Sequence, residues 1–197
     1  RLREFKVQHA STNPQRIPDW NKGAAGIRAF YFRDPDGHFL EILSFPPDKG
    51  AAQWHATDRL FLGIDHTAIV VSDTDASLRF YRDQLGFRVA GEGENFGTEQ
   101  EHLNNVFGAR LRITTLKAPA GPGVELLESL APRPGRPAPA DLLANDLAHW
   151  QTTLVSDRLE GFLEPSLGRV LDLVSPSVVT TPGRALDHLN RGSLALS

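Results

Sequence analysis

The chain has 197 residues, of which 40% are hydrophobic and 23% are charged, as in ordinary globular proteins. Its net charge of −3 and pI near 6.2 offer no basic surface for nucleic acid, and no apolar run is long enough to span a membrane. Cysteine is absent, which excludes disulfides, thiolate metal ligands and cysteine nucleophiles.

The first 47 residues predict a β-hairpin. A short strand is predicted over Glu4–Ala10, and a loop rich in proline and glycine follows it. The β-branched and aromatic segments Ile27–Arg33 and His38–Ser44 then flank Asp34-Pro35-Asp36-Gly37, which has the residue types of a type I turn. Glu41 lies inside the apolar second strand, where a carboxylate needs a partner, a metal ion or solvent.

A strand and a capped helix are predicted next. The strand covers Leu62–Val71 and places His66, Ala68 and Val70 on one face. Ser72 or Asp73 is expected to cap the helix, which Gly86 ends. Its apolar face carries residues at helical spacing, namely Leu78, Tyr81 and Leu85.

Three further strands are predicted before the end of the central region. Phe87–Gly91 is the first, and the polar loop Glu92–Val106, which contains His102, follows it. The strands Ala109–Leu116 and Gly123–Ser129 then complete the region, and Glu125 stands in the last strand between two apolar residues, as Glu41 does.

A proline-rich linker precedes the C-terminal region. His149–Val155 is predicted as a strand, and the helix expected after it is interrupted at Gly161 and Pro165. Methionine is absent from the whole sequence, including position 1, so we expect a portion of a longer polypeptide.

An internal repeat of 84 residues relates these regions. Glu41 and Glu125 are separated by this distance, and so are Val71-Ser72-Asp73 and Val155-Ser156-Asp157. The period suits an α+β fold of repeated βαβββ modules, in which pairing with a second copy completes each sheet. We predict the end of one module over 1–47, a complete module over 59–131 and the start of a third over 145–197, with linkers at 48–58 and 132–144.

These motifs resemble the vicinal oxygen chelate superfamily, which includes glyoxalase I, extradiol dioxygenases and bleomycin-resistance proteins. Four motifs carry the resemblance: Ile64-Asp65-His66, Val71-Ser72-Asp73, the segment Leu78–Phe87, and the Asp-Pro-Asp-Gly hairpin with Leu40-Glu41-Ile42. In such proteins paired modules form a cup around a divalent metal ion. A His or Gln from each first strand and a Glu from each last strand bind the metal.

The resemblance implies that His66 and Glu125 are metal ligands. Imidazole and carboxylate suit Fe, Mn, Ni, Co or Zn alike, so the metal is not identified. The third ligand is either Gln151 or His149, because the position equivalent to His66 holds Trp150; the alternative is that neither binds. The fourth ligand would lie beyond Ser197, and Glu41 is expected to lack a first-strand partner.

His102 is a candidate acid–base or substrate-contacting residue, and its alternative role is that of a solvated loop histidine. The resemblance supports a metal-dependent enzyme, glyoxalase-like or extradiol-dioxygenase-like, that acts on a small molecule through two vicinal oxygens. A metal-free binding protein of the bleomycin-resistance type is the alternative, and a purely structural fragment is a third. We expect a cytoplasmic protein without nucleic acid or membrane partners, for which homo-oligomerisation is open.

Overall fold

The structure is a computed structural model that describes residues 1–133, 139–143, 145–149, 152–155 and 171–174. The chain divides into two compact units, residues 1–137 and residues 138–194. The first unit contains two β-sheets and the second contains a pair of strands. None of the helices in these described ranges is both long enough and apolar enough to cross a bilayer.

The first sheet has three antiparallel strands in the order β1 (Gln15–Arg16), β2 (Arg28–Arg33) and β3 (Phe39–Ser44). The carboxylate of Asp34 closes the turn between β2 and β3, because its Oδ1 accepts from the backbone N–H groups of Asp36 at 3.0 Å and His38 at 2.9 Å. The predicted hairpin is therefore confirmed, with strand ends one residue shorter than expected.

The predicted strand over Glu4–Ala10 is wrong. Residues 2–6 form turns, and His9 makes only an isolated antiparallel bridge with Phe32 of β2. Lys6 has a φ of 53°, which bends the backbone out of the extended conformation that a strand needs.

The second sheet has four strands in the order β4-β7-β6-β5. They are β4 (His66–Val71), β5 (Arg88–Phe96), β6 (Arg110–Lys117) and β7 (Gly123–Ala131). β4 runs parallel to β7, whereas β6 pairs antiparallel with both β5 and β7. With the helix that follows β4, this order makes the predicted βαβββ module and confirms the α+β class.

The first strand of this module begins at His66 and not at Leu62. Gly63 has a φ of 150°, and residues 61–65 before the strand are irregular. The indole of Trp54, from the 3₁₀ turn Ala52–His55, lies over Gly63 and would be 3.2 Å from a Cβ at that position. The connector between the two sheets therefore packs against the segment that leads into β4.

Helix α1 (Thr74–Leu78) covers one face of the four-stranded sheet and continues as a π-helical turn over Arg79–Gln84. The side chain of Asp73 caps it, since Oδ1 accepts from Ala76 N at 2.8 Å, and Glu128 of β7 accepts from Thr74 N at 3.1 Å. The wider π turn lets two adjacent aromatic residues, Phe80 and Tyr81, both face the core.

The predicted polar loop over Glu92–Val106 is wrong. β5 extends to Phe96, and helix α2 (Thr98–Asn104) follows it. Leu103 of α2 packs into a core cluster with Ile17 and Ala29 of the first sheet region. Ser11 Oγ donates to the carbonyl oxygen of Leu103 at 2.6 Å, so the two sheets of the first unit share one helix.

The second unit contains β8 (Thr152–Val155) and β9 (Leu171–Val174), which pair in parallel. The predicted strand His149–Val155 is thus observed only from Thr152. The interrupted helix with Gly161 and Pro165 lies outside the described residues.

Leu126 offers a direct test of this core, because its side chain is fully buried between the sheet and α1. We expect Leu126→Ala to lower the free energy of unfolding by about 2–5 kcal/mol through lost apolar burial and a residual cavity. The matched control is Leu60→Ala, since Leu60 is 73% exposed. Urea unfolding followed by circular dichroism measures both; equal losses for the two variants would contradict the assigned core.

Candidate functional site

His66 stands where the two sheets of the first unit meet, and three carboxylates surround its ring. Its Nε2 lies 3.7 Å from Glu41 Oε2 and 3.6 Å from Glu125 Oε2. Its Nδ1 lies 2.9 Å from Asp65 Oδ2. The four side chains are largely buried, with 11% of Glu41 and 13% of His66 exposed.

Asp65 fixes the orientation of the imidazole. Because Nδ1–H donates to the Asp65 carboxylate, Nε2 is the nitrogen that faces Glu41 and Glu125. The side chain of Trp54 also hydrogen-bonds to Asp65. A carboxylate behind a histidine in this manner sets its tautomer and increases the basicity of the opposite nitrogen.

A neighbouring strand supplies each glutamate with a hydroxyl partner. Thr115, opposite Glu125 in the β6–β7 pairing, donates from Oγ1 to Glu125 Oε1 at 3.2 Å. Tyr31, opposite Glu41 in the β2–β3 pairing, hydrogen-bonds to the Glu41 carboxylate. The Thr115 hydroxyl thus binds Oε1 of Glu125, and Oε2 of Glu125 is the oxygen nearest His66.

Burial and mutual charge shift the protonation of this cluster. Burial raises the pKa of Glu41 to about 7, and the negative charges of Glu125 and Asp65 act in the same direction. Burial alone would lower the pKa of His66, but the hydrogen bond to Asp65 and the charges of Glu125 and Glu41 outweigh it and raise the pKa to about 9. The hydrogen bond from His66 lowers the pKa of Asp65.

The donor types around His66 suit a divalent metal ion, but their spacing is wider than that of ligands on one ion. The separations of 3.6 and 3.7 Å are too long for hydrogen bonds, so Nε2 bonds directly to neither glutamate. Two ligands that each bind one ion at about 2.1 Å stand roughly 3.0–3.4 Å apart. Among the described residues, no group of three His, Asp or Glu side chains has the geometry of a metal site.

The structure brings together two of the predicted ligands, His66 and Glu125. The expectation that Glu41 lacks a partner is wrong, because β3 places it beside His66 of the next module. His149 belongs to the second compact unit, and Gln151 lies outside the described residues, so a role for either stays a prediction.

His102 occupies the last turn of α2 and not a loop. Its side chain is exposed, and its carbonyl oxygen accepts from Thr12 N at 3.0 Å. Its proposed acid–base role therefore has no supporting contact among the described residues.

Sequence reasoning missed the roles of Asp65, Tyr31 and Thr115. Asp65 directly precedes the histidine, which was a visible signal. The two hydroxyl residues were not visible as partners, because their positions opposite Glu41 and Glu125 depend on the strand register. Register is set by pairing between strands and is not encoded in either strand alone.

Because the buried His66 side chain is protonated at neutral pH, we expect the folded protein to lose stability in alkaline solution. A pKa that is higher in the folded state than the ordinary 6.5 means that the stabilisation is full below pH 6.5 and is lost as pH rises through about 9. We expect the unfolding free energy to fall by about 1–3 kcal/mol between pH 7.5 and 9.5. His66→Gln lacks the titrating group and should lose clearly less over the same window. Urea unfolding at each pH tests this, and parallel curves for the two proteins would refute it.

Comparison with known proteins agrees with this architecture. Residues 63–160 match the family model of the Glyoxalase/Bleomycin resistance protein/Dioxygenase superfamily. No curated protein matches the chain.

Solved structures that match part of the chain include a glyoxalase family protein from Bacillus cereus, with 18% identity over 54% of this chain and 71% of that chain and a TM-score of 0.48. Glyoxalase I from Zea mays is 14% identical over 66% of this chain and 37% of its own, with a TM-score of 0.40. A glyoxalase family protein from Enterococcus faecalis is 16% identical over 64% and 82%, with a TM-score of 0.26. From the match to the family model and the βαβββ topology, the chain belongs to the glyoxalase/bleomycin resistance protein/dioxygenase superfamily.

Proposed function

We propose that His66, Glu41 and Glu125 hold a divalent metal ion and that the protein acts on a small molecule as a glyoxalase-like or extradiol-dioxygenase-like enzyme. The observation that carries the proposal is the convergence of one imidazole and two carboxylates, from two different sheets, although their separations are wider than those of ligands on one ion. Fe, Mn, Ni, Co and Zn all suit this donor set.

A metal ion bound there supplies a Lewis acid for two vicinal oxygens of a small molecule. The chain's own residues keep the donors in place. Asp65 holds the imidazole with Nε2 towards the carboxylates, and Thr115 and Tyr31 restrain the two glutamates. This restraint reduces the ordering that metal binding requires.

Glu41 reaches His66 from the neighbouring sheet, whereas Glu125 belongs to the same sheet as His66. In the metal-free protein burial raises the pKa of Glu41 to about 7, so both of its protonation states are populated at neutral pH. A metal ion would bind the ionised form.

A metal-free binding protein is the second candidate, and one observation favours it. The His66 imidazolium already compensates the nearby carboxylates, and no three of the described His, Asp and Glu groups are closed around a common point. In that case the residues around His66 would bind a ligand without chemistry.

Direct metal titration separates the two candidates. We expect Mn²⁺ or Ni²⁺ to bind with a stoichiometry of one, measured by calorimetry. His66→Ala should weaken the affinity at least about 100-fold, and Glu41→Gln and Glu125→Gln about 10–100-fold each. Glu4→Gln is the matched control, because Glu4 is an exposed carboxylate paired only with Arg1. Failure of every metal tested to bind the wild-type protein would favour the binding protein.

Metal affinity should also depend on pH. A metal ion must displace the proton from His66 and, below pH 7, from Glu41, since both pKa values are raised. We therefore expect the affinity to rise about tenfold per pH unit between pH 7 and 8.5, with the release of about one proton. Titration in buffers of different ionisation enthalpy measures that release. An affinity independent of pH would show that the ion binds elsewhere.

A further inference from the structure

The connector over residues 48–58 lies in the chain between β3, which carries Glu41, and β4, which begins with His66. Most of its side chains are exposed to solvent. Within this described segment, Lys49 and Trp54 are the two residues that are partly buried. Lys49 contacts the loop before β2 and Trp54 contacts the segment before β4. The connector is therefore anchored to the chain near both sheets of the first unit.

The first anchor of the connector lies just after β3. Gly50 packs directly on the ring of Phe45, since a Cβ there would be 2.7 Å from the Phe45 Cγ, and Gly50 has a φ of 79°. Lys49 Nζ donates to the carbonyl oxygen of Lys22 at 2.9 Å. His55 Nε2 lies 2.8 Å from the carbonyl oxygen of Lys49, so the 3₁₀ turn that ends at His55 is tied to this anchor.

The second anchor is Trp54, which reaches the carboxylate beside the histidine. The outer edge of its six-membered ring, Cζ3 and Cη2, lies over Gly63, where a Cβ would be 3.2 Å from both atoms. Its side chain also hydrogen-bonds to Asp65. The indole N–H is the only polar group of a tryptophan side chain and is solely a donor, so Asp65 is the acceptor. Since Asp65 also accepts from His66 Nδ1 at 2.9 Å, its carboxylate lies between two N–H donors.

A second donor on Asp65 matters because of how carboxylates rotate. The torsion that turns a carboxylate about its Cβ–Cγ bond has broad minima, so one hydrogen bond alone fixes its plane poorly. Asp65 also lies in the irregular segment before β4 and outside the regular strand pairing. The N–H of Trp54 therefore restricts a group that the sheet does not hold by itself.

We propose that Trp54 is a positioning residue for the candidate site, because its N–H fixes the Asp65 carboxylate that orients His66. An Asp65 fixed in this way keeps Nε2 of the imidazole directed towards Glu41 and Glu125. The effect on metal binding rests on the proposed function, whereas the effect on the imidazole does not. Because its other anchor lies beside β3, the connector also limits how far the strand of Glu41 can move from the strand of His66.

Hydrogen exchange of the His66 Nδ1–H with water, measured by NMR in the metal-free protein, tests this role. Trp54→Phe keeps an aromatic ring but lacks the N–H that holds Asp65. We expect the Nδ1–H to exchange about tenfold faster in this variant, which corresponds to the loss of one hydrogen bond from the network. Trp20→Phe is the matched control, because Trp20 stacks on Phe96 at 4.5 Å, and its exchange rate should equal that of the wild type. Equal rates in the wild type and in Trp54→Phe would overturn the proposal.

The reciprocal measurement uses the indole N–H of Trp54 itself. Asp65→Ala removes the acceptor, so the indole N–H should exchange about tenfold faster than in the wild type. An unchanged rate in a folded Asp65→Ala protein would show that the hydrogen bond does not exist in solution, and the proposal would fail.

Mn²⁺ affinity distinguishes positioning from simple packing. Asp65→Ala should weaken binding about 10–100-fold, and Trp54→Phe, which acts through Asp65, about 3–10-fold. Adding Trp54→Phe to Asp65→Ala should then cause no further loss, because the two residues act in one chain of contacts. A further loss as large as that of Trp54→Phe alone would mean that Trp54 acts by packing, and would overturn its positioning role.

The failure of this proposal and the failure of the metal proposal are distinguishable. If the wild type binds no Mn²⁺, the metal centre is rejected and the two exchange measurements still decide the role of Trp54. If the wild type binds Mn²⁺ and His66→Ala does not, while Trp54→Phe matches the wild type in affinity and exchange, the metal centre stands and the role of Trp54 is rejected.

Discussion

The arrangement of the first unit depends on one constraint, which is the burial of charge around His66. An imidazole and three carboxylates are largely removed from water, and such groups are tolerated only when each has compensating partners. Asp65, which directly precedes β4, is the first partner of His66. β7 supplies the second partner, Glu125, and β3 supplies the third, Glu41. The first sheet thus brings a third buried carboxylate, Glu41, to a histidine of the second sheet, and Tyr31 hydrogen-bonds to that carboxylate.

The same local design occurs on both sheets. Each glutamate stands on the second strand of a hairpin, and a hydroxyl on the first strand restrains it, Tyr31 in one case and Thr115 in the other. The 84-residue repeat thus places a glutamate and a hydroxyl partner for it in both modules. The hydrogen bond from Tyr31 lowers the pKa of Glu41, but burial outweighs it and raises the pKa to about 7.

Much of the fold could be predicted because its signals are local. Asp34 and Gly37 define a turn, Asp73 caps a helix, Gly86 ends it, and the repeat predicts the module. The start of β5 was predicted as well, but its second half and α2 could not be predicted in this way. Alternating glycine and glutamate over residues 91–94 have low strand propensity, and only pairing with β6 makes them a strand. The partner of Glu41 was missed for a related reason, because counting within a repeat cannot reveal a contact between two copies.

Helix α2 connects the two sheets of the first unit. It belongs in sequence to the second module, yet Leu103 packs into the core of the first sheet region and its carbonyl oxygen accepts from Ser11 Oγ. The second module therefore completes the core of the first sheet region. A cut in the connector over residues 48–58 would leave the two pieces associated, and evolutionary exchange of one module would have to carry its neighbour's helix contacts with it.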